Sequence, residues 1–320
     1  MIQIKLTKRF LSLALAVLAV IPASAQECYM VMEAHSGKVL LATNSTTKRP
    51  IASLTKIATA VVAVDWATAA GKELANEELT VPPTISLVGG SNAMNLQPGD
   101  RMTLRDALYA SMLGSDNLAA LTIADHVGKQ LVTKRGKGTD PVAEFVGEMN
   151  LLAKALGMTD TRFANPHGLE RPGTKAYSTA ADVARLSVYT MRRNALNFIV
   201  SQKTRKITVK GPEGDRYFTI TNTNELVGEE GIHGIKTGTN TAAGPCLAAC
   251  SELKPLVRDK PDGSKGVTPR RLIVVVLNSP DRFNRARGLI AEGWKFYDSW
   301  ISNGAPVKER QREIISVPIL

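Results

Sequence analysis

A chain of 320 residues, 44% hydrophobic and 22% charged, is long enough for one large folded domain or two small ones, and its composition excludes a disordered or fibrous protein. Forty Lys+Arg against 29 Asp+Glu leave a net charge of +11, yet aromatics are only 5% and no compact basic motif is interleaved with them, so nucleic acid is not the expected partner. The four histidines, His35, His126, His167 and His233, are scattered with no metal-ligand spacing, and neither a metal nor another cofactor is expected.

The first 25 residues differ from the rest. Lys5, Lys8 and Arg9 make a basic start, Phe10 to Ile21 is an apolar run too short to span a bilayer comfortably, and Ala23-Ser24-Ala25 is a small-residue cleavage pattern. Together they predict a secretory signal peptide, residues 1–25, with a cut after Ala25 and no stable membrane anchor afterwards. The exported chain keeps 37 Lys+Arg against 29 Asp+Glu, a net of +8, which suits an anionic cell envelope.

Cys28 to Thr43 predicts a β-hairpin, with His35-Ser36-Gly37 as its turn. Ile51 to about Gly71 reads as a helix apolar almost all the way round, hence buried. Glu73 to Asp100 is broken by Pro82-Pro83, Gly89-Gly90 and Pro98-Gly99 and predicts irregular chain. Thr103-Leu104-Arg105-Asp106 opens a second helix to about Leu113, and after Gly114-Ser115-Asp116-Asn117 a third runs to about Gly128. The basic stretch from Gly128 to Asp140 is expected to be a solvated loop. Helices follow over Pro141–Leu156 and from Thr179 to about Arg193, separated by the turn-rich Asn165-Pro166-His167-Gly168-Leu169.

Then the pattern turns to strands: Arg205–Lys210, Arg216–Thr223, Gly231–Thr237, Gly244–Ser251 and Arg271–Asn278. The last, RLIVVVLN, is apolar throughout and is expected to be interior. Lys254–Arg270 is charged and reads as an exposed hairpin excursion. Phe283–Trp300 predicts a final amphipathic helix, and the tail, residues 303–320, holds REIISVPI as one extra strand at most. Strands, helices, strands and a helix in that order argue for an α+β fold: an antiparallel sheet with flanking helices, the N-terminal hairpin joining the C-terminal strands.

Cys28, Cys246 and Cys250 are odd in number, so at least one is unpaired. Cys246 and Cys250 would stand roughly 13 Å apart along a strand, too far for a disulfide. Buried thiols are the preferred reading, and a bridge from Cys28 to either stays open in an oxidising compartment.

Two polar residues interrupt the first helix, Ser53 and Lys56, three apart and therefore on one face. Burial disfavours the lysine cation, and a lysine that is neutral near pH 7 can take the proton of a neighbouring hydroxyl. Further on come Ser115-Asp116-Asn117 and Lys236-Thr237-Gly238. Each motif alone is weak, but S-x-x-K, S-D-N and K-T-G in this order are a strong joint signal.

With Arg49-Pro50-Ile51-Ala52-Ser53-Leu54-Thr55-Lys56, Thr161-Arg162-Phe163-Ala164-Asn165-Pro166-His167-Gly168-Leu169 and Gly234-Ile235-Lys236-Thr237-Gly238, the chain resembles the low-molecular-weight penicillin-binding proteins, the serine D-alanyl-D-alanine carboxypeptidases and endopeptidases, over roughly Glu27 to Trp300. The resemblance implies a transpeptidase/β-lactamase-like fold with a helical subdomain, a peptidase domain over residues 26–302, and a place in the bacterial periplasm or envelope. It implies a D-Ala-D-Ala carboxypeptidase acting on peptidoglycan stem peptides, with β-lactams as covalent inhibitors. In that frame Ser53 is the nucleophile, Lys56 its base and Ser115 the proton relay to the leaving amine. Asn117 contacts a substrate carbonyl or Lys56, while Lys236, Thr237 and Gly238 bind substrate, Lys236 also depressing the pKa of Lys56. The backbone N–H groups of Ser53 and Thr239 form the oxyanion hole. His167 is expected to be structural.

Alternatives stay open: a D,D-endopeptidase, a class A-like β-lactamase, or a non-catalytic envelope protein that binds penicillin or peptidoglycan. The β-lactamase lacks its deacylating E-x-x-L-N stretch here, since Arg193 stands where the glutamate would be. The second, β-rich domain and amphipathic anchor common in the carboxypeptidases are not expected, and Lys254–Arg270 is longer than the family's usual turn.

Overall fold

The computed structural model describes residues 26–136, 138–170, 173–229 and 231–319; the expected signal peptide lies outside the described residues. The chain opens with the expected hairpin, β1 (Cys28–Glu33) and β2 (Val39–Thr43). Its turn is closed by the Glu33 carboxylate, which accepts from the His35 and Ser36 amides at 2.9 and 2.6 Å. A 3-10 turn over Ala52–Leu54 leads into α1 (Thr55–Ala69). The stretch expected to be irregular holds β3 (Glu78–Thr80) and a 3-10 turn at Pro83–Leu87, and is followed by β4 (Arg101–Thr103).

Next come α2 (Leu104–Met112), α3 (Asn117–Arg135), α4 (Pro141–Ala155), α5 (Ala180–Met191) and α6 (Asn194–Val200). Side-chain oxygens of Thr103, Asp116, Asp140 and Thr179 cap α2 to α5 by accepting from their first-turn amides, which otherwise lack partners. Strands then dominate: β5 (Thr204–Gly211), β6 (Gly214–Thr221), β7 (Ile232–Gly238), β8 (Cys246–Asp259) and β9 (Lys265–Leu277). Helix α7 (Arg282–Ser302) and the one-turn α8 (Arg310–Glu313) finish the fold.

The main sheet has the order β2-β1-β9-β8-β7, antiparallel throughout, so the N-terminal hairpin does join the C-terminal strands. Strand β9 lies between β1 and β8, as its apolar run requires. Its alternate residues serve two cores. Leu272, Val274 and Val276 pack under α7 with Leu289 and Tyr297, while Ile273, Val275 and Leu277 face the larger core, on the side that α5 covers. Each such residue contributes about 1.5–3 kcal/mol on burial. The other strands form a small separate sheet, β3-β4-β5-β6, rather than extending the main one.

Three expectations need correction. Helix α3 does not stop at Gly128 but continues to Arg135, where Gly136 ends it in the left-handed conformation. Gly128 is there for room: a Cβ would lie 1.9 Å from the Pro141 carbonyl oxygen, so α3 and the start of α4 touch backbone to side. Helix α6 was not anticipated, since seven residues are too few for a helical period to show. The tail supplies a single bridge, Lys38 to Ile314, in place of a strand, and docks through the Ile315 amide, which donates to the Gly37 carbonyl at 2.8 Å. The Lys254–Arg270 excursion is a hairpin, as expected, in which β8 and β9 run on together beyond the sheet. Cys28, Cys246 and Cys250 are free and buried. Among the described residues, no helix is long and apolar enough to cross a membrane.

The close approach at Gly128 sets a test. Ala at this position gains up to about 1 kcal/mol of helix propensity but meets backbone that has no rotamer to change. The expected outcome for Gly128→Ala is a net loss of about 1–3 kcal/mol, read as a lower urea midpoint; an unchanged or higher midpoint contradicts the contact.

Candidate active site

Ser53 stands in the 3-10 turn that precedes α1, one residue after Ala52, whose φ of +45° puts a non-glycine residue in the left-handed region. Such a conformation costs of order 1–3 kcal/mol and is held only by surrounding contacts. Those contacts come from two glycines. At Gly168 a Cβ would lie 2.0 Å from the Ala52 carbonyl oxygen, and at Gly238 one would lie 3.0 Å from both Ile51 O and Ser53 N. The loop 165–169 and the end of β7 therefore press on the turn from two sides, and Ser53 is left half-buried.

Lys56 is fully buried, with 0% of its surface exposed. Its Nζ donates to Ser53 Oγ at 2.8 Å, to Asn117 Oδ1 at 2.7 Å and to the His167 carbonyl at 2.8 Å. The carbonyl and amide oxygens can only accept, so a neutral Lys56 commits its two N–H groups to them and turns its lone pair to the Ser53 hydroxyl. Burial holds the Lys56 pKa down to about 7, with the neighbouring Asp116 carboxylate pulling the other way.

The loop that brings the His167 carbonyl here is closed by Asn165, whose Oδ1 accepts from the His167 and Gly168 amides and whose Nδ2 donates to Leu169 O at 2.7 Å. Thr59 of α1 ties it down by donating to Pro166 O at 2.6 Å. The His167 ring is buried and its Nδ1 accepts from the Leu169 amide at 3.1 Å. The ring is thus structural, as expected; what reaches Lys56 is the main chain.

Ser115 and Asn117 lie at the break between α2 and α3. Ser115 has φ +60°, is half-buried, and stands two residues before the amide that binds Lys56. Asp116 between them caps α3, accepting from the Ala119 amide at 2.8 Å. Across the site, Lys236, Thr237 and Gly238 end β7. The Thr237 hydroxyl is hydrogen-bonded to that of Thr223 at 2.6 Å, and the Thr223 amide donates to Leu113 O at 3.0 Å. Thr239, the second expected oxyanion donor, follows directly on the strand.

Lys236 is also 0% exposed, and its Nζ has no hydrogen-bond partner among the described residues. Burial lowers its pKa well below the usual lysine value, and the cations of Lys56 and Arg282 lower it further. Burial is the first cause of the lowering at both lysines, and the repulsion between their cations is mutual.

Arg282 is a residue that the sequence did not point to. From the start of α7 its guanidinium donates to Gly238 O at 3.1 Å and to Thr239 Oγ1 at 2.7 Å, so a second cation stands at the end of β7. Thr223 and the His167 carbonyl escaped notice likewise. No motif marks them; only the fold brings them near. Chemically, the assembly offers a half-buried hydroxyl, a base poised near pH 7, and a lysine and an arginine beside a strand end, an arrangement suited to attack by the hydroxyl on an acyl carbon.

The model of the D-alanyl-D-alanine carboxypeptidase family matches residues 17–256. The chain is 31% identical over 290 residues to D-alanyl-D-alanine carboxypeptidase DacC of Escherichia coli (strain K12), covering 87% of this chain and 63% of that one. It is 27% identical over 242 residues to the D-alanyl-D-alanine endopeptidase of the same organism, covering 75% and 70%. Among solved structures, penicillin-binding protein D2 from Listeria monocytogenes in its ampicillin-bound form superposes with a TM-score of 0.64 at 26% identity, covering 85% of this chain and 97% of that one. The chain spans 53–63% of the length of the carboxypeptidases DacC, DacF and DacD.

The Lys56 environment predicts how stability depends on pH. Below pH about 7 Lys56 is protonated in both the folded and the unfolded chain. Between about 7 and the unfolded value of 10.5 only the unfolded chain holds the proton, so raising the pH stabilises the fold across that window. Relative to a Lys56→Met variant, the wild type should gain about 1.4 kcal/mol per pH unit there, measured by urea unfolding at pH 6, 7.5 and 9. A difference that does not change with pH contradicts a depressed Lys56.

Proposed function

Because the chain belongs to the D-alanyl-D-alanine carboxypeptidase family, we propose that it hydrolyses the terminal D-Ala-D-Ala bond of peptidoglycan stem peptides through an acyl-enzyme on Ser53. We take residues 1–25 as a cleaved export signal, 26–302 as the peptidase domain and 303–320 as a docked tail, with the enzyme working in the periplasm or envelope. The observation that carries the reading is Lys56, fully buried, with Ser53 Oγ 2.8 Å from its Nζ and two acceptor-only oxygens on its other sides.

In this mechanism neutral Lys56 takes the Ser53 proton as Oγ attacks the carbonyl of the penultimate D-alanine. The oxyanion forms against the backbone N–H groups of Ser53 and Thr239. The proton passes from Lys56 through the Ser115 hydroxyl to the amine of the departing D-alanine, and the C–N bond breaks. Water then attacks the acyl ester, giving its proton to Lys56, and Ser53 leaves with a proton returned from it. Lys236 and Arg282 meet the substrate's terminal carboxylate, with Thr237 beside them, and Gly238 leaves room for the nucleophile turn. A β-lactam undergoes the same attack, but its cleaved nitrogen stays tethered and the adduct persists.

A second reading, cutting of cross-links, is favoured by the similarity to an endopeptidase over 75% of the chain. The chemistry is the same and only the leaving amine differs.

Mass spectrometry decides between them. Incubated with uncross-linked pentapeptide muropeptides, the protein should release one D-alanine; conversion of cross-linked dimers to monomers, with pentapeptides untouched, favours the second reading. Fluorescent penicillin should label Ser53 alone and leave Ser53→Ala unlabelled. The acylation rate should fall about tenfold per pH unit below about 7, as Lys56 takes up a proton. A flat profile from pH 5 to 8 would falsify Lys56 as the base.

A further inference from the structure

Thr223, just past the end of β6, carries an exposed side chain on a fixed main chain. Its amide donates to Leu113 O at the end of α2, at 3.0 Å. On one side of it the buried Asn222 donates through Nδ2 to Val200 O and Gln202 O, both at 3.1 Å. On the other side the buried Asn224 donates through Nδ2 to Gly234 O of β7 at 2.6 Å. The two asparagines are joined as well, the Asn224 amide donating to Asn222 Oδ1 at 3.0 Å. A side chain that fills no core, on a mount tied to α2, α6 and β7, is built to place a group.

The group is a hydroxyl, 2.6 Å from that of Thr237, which is only 4% exposed. Each hydroxyl carries one proton, so only one of the two donates across this contact. If Thr237 donates, its proton is spent and it offers a ligand lone pairs alone. If Thr223 donates, Thr237 keeps its proton for a third group. The Arg282 guanidinium stands on the neighbouring Gly238 O and Thr239 Oγ1, at 3.1 and 2.7 Å, so an anion is the ligand that suits this strand end. A carboxylate can only accept, and it selects the second arrangement.

We propose that Thr223 is a positioning residue for carboxylate recognition: its hydroxyl donates to Thr237 Oγ1 and so turns the Thr237 proton toward the substrate's terminal carboxylate. The proposal rests on the peptidase reading above and extends it, adding a residue from outside the three motifs. A valine at 223 keeps the branched shape and its main-chain preference but removes the donor. Thr237 Oγ1 then loses its partner once the substrate displaces water from the cleft, and the loss falls on carboxylate binding. A serine keeps the donor.

The test compares acylation of the full chain by two thioesters, N-benzoyl-D-alanyl thioglycolate, which has a free carboxylate, and its methyl ester, which has none. The acid-to-ester ratio of second-order rate constants is expected to fall about tenfold in Thr223→Val and to stay within about twofold of wild type in Thr223→Ser. Both substrates report on the same sample, so the ratio does not depend on the folded fraction. An equal loss on both substrates, an unchanged ratio in Thr223→Val, or a serine variant as impaired as the valine one overturns the proposal. Mass spectrometry of the wild type separates the two readings. No acyl adduct on Ser53 with either thioester overturns the peptidase reading and this inference with it, whereas an adduct with an unchanged ratio in Thr223→Val overturns the inference alone.

Discussion

The structure turns on keeping one lysine dry. A cation with no exposed surface is costly, and Lys56 meets that cost by giving up its proton near pH 7 rather than by pairing with a carboxylate. Its partners suit the neutral form. An acid at the place of Asn117 Oδ1 or of the His167 carbonyl would hold the ammonium and disable it as a base, whereas two neutral acceptors orient the amine without fixing its charge. Asp116 is the nearest tug in the other direction, and its carboxylate is occupied in capping α3.

Around that lysine the three motifs close a triangle. Lys56 joins the first to the second through Asn117. Thr223 ties the end of α2, two residues before the second motif, to the third, its amide on Leu113 and its hydroxyl on Thr237. Gly238 joins the third to the first, where a Cβ would be crowded at 3.0 Å from the Ser53 amide nitrogen. Each side of the triangle is a different kind of contact, so no single substitution slackens all three. The strained φ at Ala52 sits at one corner and persists because Gly168 and Gly238 enclose it. Stability for this comes from elsewhere, chiefly the two-faced sheet whose central strand, β9, is buried from Leu272 to Leu277.

How much of this could be read beforehand depended on whether a letter carries the information. Motif side chains do, and Ser53, Lys56 and Asn117 came together as their order implied. Alternation and apolar runs do, and the main sheet followed. Main-chain atoms do not: the His167 carbonyl is a partner of Lys56, yet the residue drew notice only for its ring. Glycine is ambiguous. Gly128 looked like a helix stop and proved to be a place where α4 comes too close for a Cβ, while Gly136, eight residues on, is the stop. Arg282 lies 44 residues from Gly238 in sequence, and no local pattern announces a contact made across a sheet edge.

The two lysines bear on one another in a way that neither motif shows alone. In an empty cleft Lys236 and Lys56 compete, because each is enclosed and a proton on one makes a proton on the other dearer. A carboxylate beside Lys236 changes this balance. It lets Lys236 carry its proton, and the resulting pair acts on Lys56 as a dipole instead of a full charge, an effect that falls off faster with distance. In the proposed function, recognition of a free carboxyl terminus is then not separate from the chemistry: the anion that positions the substrate would also decide how the two lysines share their protons, and so help to keep Lys56 a base.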